Sequence, residues 1–212
     1  MSWHVFDEER TTRLRFESRK RCATVNTILL QQLNEAIRPS LVDSGGPIPW
    51  MIPVNMRGGV SQHRDTDNHT SYVTASVAPG EAPGSIHRRI LWNLSRGQHW
   101  GNWHAFKSGH ITPHPIRKWM VSNGLAIAQW NVGAFSNLGD WFPDAKTLSP
   151  AADGDWLFAP PTLRTQLLGA GCVTVRNRMG LVLQAHPELT VDPDVVRRWM
   201  DRWVAGVEAM VG

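Results

Sequence analysis

Cysteine, tyrosine and lysine are scarce in this chain of 212 residues, which carries 2 cysteines, 1 tyrosine and 4 lysines. Cys22 and Cys172 are too few to staple a small scaffold, and neither belongs to a C-x-x-C pair. A disulfide framework is therefore excluded, and each thiol reads as structural. No run of about 18 apolar residues occurs, so no membrane-spanning helix is expected. Met1 to Glu9 holds no basic head followed by an apolar stretch, so no signal peptide is read there and a cytoplasmic location is expected. The sequence also lacks G-x-G-x-x-G, G-x-x-x-x-G-K-[ST] and G-x-S-x-G. The common nucleotide loops and the hydrolase nucleophile elbow are thereby set aside.

What is present is the material of one globular domain, expected to span residues 1–212: 42% hydrophobic and 19% charged residues, too apolar for a disordered chain. The net charge is +4, and 18 of the 22 cations are arginine. Arginine forks suit carboxylate and phosphate, but the densest cluster, Arg10 to Arg21, is diluted by Glu8, Glu9 and Glu17. It reads as a solvated helix face rather than a nucleic-acid patch.

Periodicity predicts a surface helix over 7–21. A second helix follows a Thr24 cap, with Val25, Ile28, Leu29, Leu33, Ala36 and Ile37 at core-facing spacing, and ends at Arg38-Pro39. Strands are expected at 50–56 and 71–77, separated by a polar loop from Arg57 to Asn68. A helix should run from Ile86 to about Trp100, and a short one through Trp119. A buried strand at 125–132 should lead into a strand-end loop, Gly133 to Gly139, and a loop should span 144–155. Strands at 172–176 and 181–185 should form a hairpin about Asn177 to Gly180. Asp192-Pro193 should open a last helix with an apolar stripe from Val196 to Met210. Alternating helices and strands predict an α/β or α+β sandwich around a mixed sheet. Trp92, Trp100 and Trp103 read as core.

Nine histidines raise a metal hypothesis, with close pairs at His63/His69, His99/His104 and His110/His114. Pro113 and Pro115 keep the last pair off a continuous helix, and no H-E-x-x-H occurs, so no metal site is expected. Two loops stand out. Pro53 to Gly58 ends a strand with a charge and a glycine, and Asn131 to Trp141 places Ser and Asn between glycines. Glycine lets a backbone approach a ligand, and Ser or Asn can donate to an oxyanion.

Four stretches then come in a suggestive order: Thr24-Val25-Asn26-Thr27-Ile28-Leu29-Leu30, Ile52-Pro53-Val54-Asn55-Met56-Arg57, Asn68 with Ser71, and Phe135-Ser136-Asn137-Leu138-Gly139. This order resembles the C-terminal half of the CoA-dependent acyltransferases, among them wax ester synthase/diacylglycerol acyltransferases, alcohol acetyltransferases and condensation domains. The resemblance covers roughly residues 8 to 208.

It implies a chloramphenicol acetyltransferase-type half with a mixed sheet, in a protein whose tunnel lies between two such halves. It implies acyl transfer from a thioester, acyl-CoA or a carrier protein, to a hydroxyl or amine, with no tightly bound cofactor. Arg57, Asn68, Ser136, Asn137 and Gly139 would line the substrate. The family's base comes from H-H-x-x-x-D-G, which this chain lacks. His186, at a strand end before the last helix, is the candidate catalytic residue, though neither a paired His nor a spaced Asp-Gly accompanies it.

Three functions follow as expectations. The chain is an acyltransferase-like half needing a partner half, a non-catalytic binding or assembly protein that keeps the fold, or an enzyme using His186 across a subunit interface. A half-domain should bind an N-terminal-half partner or self-associate, through a contact including Phe135 to Trp141.

Overall fold

The structure is a computed structural model that describes residues 1–41, 45–60, 69–108, 112–116, 118, 131–141 and 154–212. In chain order its elements are β1 (Ser2–Phe6), α1 (Glu8–Lys20), α2 (Val25–Ile37), β2 (Ile48–Asn55), β3 (Thr70–Val77), α3 (Pro83–Ser95), α4 (Gln98–Ser108), β4 (Gly133–Trp141), β5 (Leu168–Val175), β6 (Arg178–Ala185) and α5 (Pro193–Val211). His63, Asn68, His110 and residues 119, 121–130 and 142–153 lie outside the described residues, and with them most of the strand expected at 125–132 and of the loop expected at 144–155.

The helix starts are set by short polar side chains. Asp7 accepts the Arg10 N–H at 2.7 Å, and Thr24 and Thr27 form a reciprocal capping box at the head of α2. Asp192 caps α5, whose first residue is Pro193. The expected helix from Ile86 to Trp100 is instead two helices. α3 begins at Pro83, and Gly97, in the left-handed region at φ +73°, stops it and lets α4 leave in a new direction.

The six strands form one mixed sheet in the order β1-β6-β5-β4-β2-β3. β4 runs parallel to β2 and to β5, and the other neighbours are antiparallel. Ser2–Phe6, where no element was expected, is a strand paired with β6, too short to show a period of its own. Two local expectations are corrected. Gly133–Trp141 is a strand rather than a strand-end loop, because β5 pairs with it as far as Trp141 across an irregularity after Asn137. The hairpin turn is Arg176-Asn177, both at positive φ, so β6 begins at Arg178.

One face of the sheet is the core. Trp50 and Ile52 of β2, Phe135 of β4, Leu168, Ala170 and Cys172 of β5 and Leu181 and Leu183 of β6 pack under α2 and α5. Two buried indoles find acceptors there: Trp50 Nε1 donates to Asn34 Oδ1 at 3.2 Å, and Trp203 Nε1 to the Leu29 carbonyl at 2.9 Å. Phe135 meets the Trp203 ring edge-on, with centroids 6.3 Å apart. Of the tryptophans expected in the core, Trp103 is buried, whereas Trp92 and Trp100 are exposed. Trp92 instead lies under the Arg96 guanidinium, 5.7 Å from its ring centre.

The opposite face is crossed by an extended segment, 155–160. Where it passes over β5 and β6, the sheet carries Gly169, Gly171 and Gly180. A Cβ at these positions would meet the carbonyls of Pro160, Phe158 and Trp156 at 2.7, 2.0 and 2.4 Å. Arg178 pairs with Asp155 at one end of this strap, and Gln184 Nε2 donates to the Pro160 carbonyl at the other.

The two edges of the sheet are treated differently. β3 is covered by side chains of α3 and α4. Arg89 donates to the Ser76 carbonyl, Asn93 to that of Thr74 and Asn102 to that of Tyr72, and Gln98 accepts the Thr74 N–H. An uncovered strand edge invites pairing with another chain, and these four bonds close this one.

Candidate functional site

β2 and β4 are adjacent and parallel, yet their ladder is confined to Trp50/Gly133 and Met51/Ala134. Beyond it β2 runs on to Asn55 bonded to β3, and β4 runs on to Trp141 bonded to β5. The chain leaves β2 toward one edge of the sheet and β4 toward the other. Such a point, at the carboxyl ends of parallel strands, is where open α/β sheets commonly seat ligands.

The register sets what stands there. Carried on from Met51/Ala134, the register would set Pro53 beside Ser136 and Val54 beside Asn137. α2 runs antiparallel to β2, because Asn34 holds Trp50 and Arg38 at its C-terminal end donates to the Val77 carbonyl. Eight residues back along α2 is about 12 Å, and four residues along β2 is about 13 Å. Asn26, in the first turn of α2, thus belongs to the end of the sheet where β2 finishes.

Asn137 Oδ1 accepts the Gly139 N–H at 2.7 Å, which turns the amide back along its own strand. Gly139 sits at φ +72°, a conformation that favours glycine. Ser136 and Asn137 are half-buried. Arg57 follows β2 with its side chain exposed, while its N–H donates to Asn55 Oδ1 at 2.9 Å. Arg57, Ser136, Asn137 and Gly139 are therefore at one end of the sheet, and Asn68 lies outside the described residues.

His186 is elsewhere. Val182 is level with Gly171 and hence with Ser136, and His186 is four residues further along β6. That is about 13 Å along and two strands, about 10 Å, across, which puts the two backbones about 16 Å apart. His186 also organises its own turn. Its N–H donates to the Leu167 carbonyl at 2.8 Å, its carbonyl accepts from Leu189 and Thr190, and its Nδ1 accepts the Glu188 N–H at 3.2 Å.

Two polar groups at the β2/β4 end were missed as site residues. The carbonyl of His69 accepts the Met56 N–H at 2.7 Å, and its ring, 7% exposed, has no hydrogen-bond partner on either nitrogen. Asn26 Oδ1 is also buried without a donor. Buried polar atoms ordinarily find partners, so these two mark a place for water or ligand. The Thr-Val-Asn stretch held the signal for Asn26, but the capping threonine drew attention from it. A lone histidine after a polar loop carries no such signal.

This end of the sheet offers amide, hydroxyl, imidazole and guanidinium groups. Among the described residues no serine or cysteine is hydrogen-bonded to a histidine ring or a carboxylate, and no three of His, Cys, Asp and Glu gather as a metal would need. The described side can therefore bind and orient a polar substrate, and it holds no activated nucleophile.

No protein-family profile matches the sequence, and no curated protein matches it. Solved structures do. The epimerization domain from the third module of tyrocidine synthetase B has a TM-score of 0.62 at 16% identity, over 99% of this chain and 47% of that one. Polyketide synthase associated protein 5 from Mycobacterium tuberculosis has a TM-score of 0.66 at 11% identity, over 100% and 52%. A wax ester synthase/diacylglycerol acyltransferase from Marinobacter aquaeolei VT8 has a TM-score of 0.58 at 12% identity, over 99% and 47%. The chain has the fold these proteins share, a mixed six-stranded sheet with helices, and it spans about half the length of each of them. Among the described residues no helix is long and apolar enough to cross a membrane.

Proposed function

We propose that the chain is one half of an acyl-transferring unit, completed by a partner half that supplies the base. The observation carrying this reading is the coverage: the whole chain is matched, and half of each neighbour is left over. In the reading, a histidine of the partner half takes the proton of an acceptor hydroxyl or amine. The acceptor attacks the thioester carbonyl, and the tetrahedral intermediate expels the thiolate, which is then protonated. Asn137 Nδ2 faces the developing oxyanion, Ser136 lines the substrate from the other face of β4, and Arg57 attracts an anionic part of acyl-CoA or of a carrier-bound donor. Asn68 keeps its assignment from the motif order. A cytoplasmic setting fits two unpaired cysteines. The second reading, a non-catalytic binding or assembly protein, draws on the lack of a nucleophile–base pair among the described residues.

Thiol release from acyl-CoA in the presence of an alcohol or amine acceptor separates the readings. Alone, the chain should transfer at background rate, since general-base assistance typically contributes about 10²–10⁴-fold. With a complementary half bearing H-H-x-x-x-D-G it should transfer, and Asn137→Ala should lower that rate about 10–10³-fold. Binding of the complementary half without turnover would support the non-catalytic reading. Robust transfer by the chain alone, lost in His186→Ala, would replace both with an independent enzyme.

A further inference from the structure

Among the described residues, the β1 edge of the sheet has no counterpart of the side-chain cover on β3. The hairpin register tells which of its backbone groups face outward. In a two-residue hairpin the flanking residues exchange both hydrogen bonds, so Val175/Arg178 is a bonded pair. Alternation then makes Val173/Gly180 and Gly171/Val182 bonded pairs as well. Met179, Leu181 and Leu183 therefore turn their backbone toward β1, where they meet Phe6, His4 and Ser2. The N–H and C=O of Trp3 and Val5 point away from the sheet. Among the described residues neither makes a hydrogen bond to a side chain, and both belong to a strand without charge or proline.

The same edge carries an apolar patch. Trp3 and Val5 project onto the strap face, beside Val182 and Gly180. The strap sets the Trp156 carbonyl and the Leu157 side chain over Gly180. Trp3, Trp156 and Leu157 are 57%, 42% and 41% exposed. A bare pairing edge and three exposed apolar side chains thus adjoin one another.

We propose that β1 pairs antiparallel with β1 of a second copy of this chain about a two-fold axis at His4, joining the two sheets into one. The occupant is a second copy because the strand is self-complementary in this register. Trp3 opposes the partner's Val5 and Val5 opposes the partner's Trp3, so every outward N–H and C=O of the strand is bonded. Each tryptophan also gains a β-branched neighbour directly opposite, a favourable cross-strand pair. No like charges oppose one another along the two strands, and the two-fold closes the assembly at two copies, leaving only the covered β3 edges. The contact is small, so the dimer belongs to the weak class and should be half-formed at micromolar concentration. It is independent of acyl transfer and lies on strands remote from the β2/β4 end.

Sedimentation of the full chain across the micromolar range tests this. The wild type should move from one-chain to two-chain mass. Val5→Pro removes an outward N–H that β6 does not use, so it should remain monomeric with an unchanged melting temperature. Trp3→Lys should do the same, and Trp141→Glu should still dimerise. In a Cys22→Ser background, His4→Cys should form an inter-chain disulfide on mild oxidation, since a non-bonded antiparallel pair sets Cα atoms about 4.5 Å apart. A wild type monomeric throughout, a Val5→Pro dimer as tight as wild type, or no cross-link at position 4 would each overturn the proposal. Val5→Pro that fails to dimerise yet still binds a complementary acyltransferase half would show the two contacts to be separate and support it.

Discussion

Cys172 and Cys22 show how far one side chain's chemistry depends on its place. Cys172 is buried at the centre of β5, level with Asn137, and burial first, then the charge of Asp140, pushes its thiol up to about 12. It stays protonated and unreactive, whereas Cys22 is exposed on the turn after α1. A thiol reagent under mildly alkaline conditions should therefore label one cysteine in the native protein and both in denaturant. The second should react at the rate of unfolding. Two equivalents consumed at once by native protein would contradict the burial. Isolation in sequence read both thiols as structural; burial supports that for Cys172 and exposure overturns it for Cys22, a difference that depends on where the fold carries each. Asn137 and Gly139 are a similar case. The sequence pattern marked the pair, while the turn of Asn137 onto Gly139 emerges only from the irregularity in β4.

At the scale of elements, legibility followed length and period. α2 and α5 were read almost to the residue, since each has an apolar stripe, a polar cap and a proline at or near an end. β1 was invisible because five residues without a turn before them give no period to count. β4 went unread because Ser, Asn and two glycines look like a loop until β5 is laid beside them. The side-chain cover of β3 was equally hidden, since Asn93, Gln98 and Asn102 resemble any polar surface of a helix. That cover has a measurable value. The double substitution Asn93→Ala, Asn102→Ala strips the donors from the carbonyls of Thr74 and Tyr72. It should cost about 1–3 kcal/mol in urea unfolding and speed aggregation in light scattering. Unchanged stability and solubility would mean that solvent covers this edge as well as the side chains do.

Across the whole molecule, the sandwich has helices on one side of the sheet and a strap over part of the other. The glycines beneath the strap are what let a backbone lie so close, and none can take a methyl group without moving it. In Gly171→Ala the new Cβ would sit 2.0 Å from the Phe158 carbonyl oxygen, whereas Gly154→Ala meets nothing within 4 Å. The first should lower stability by about 1–3 kcal/mol and open the 155–160 segment to limited proteolysis. The second should do neither. Equal protease resistance in the two variants would detach the strap from the sheet's stability. The mixed α/β architecture was legible from the alternation of helices and strands. The strap was not, because an extended segment with no ladder of its own leaves no periodic trace.

The short ladder between β2 and β4 bears on how anything could enter the molecule there. Between most neighbouring strands, a guest would have to unzip a run of amide–carbonyl bonds before it found room. Here folding has left that stretch unzipped from the outset: past Met51 and Ala134 the two strands hold only to their outer neighbours. Passage at this end is thus governed by side chains that can rotate, among them Asn137 and Arg57, rather than by backbone that would have to part. The core beneath, with Trp203 wedged against Phe135, can stay shut while the rim above it yields.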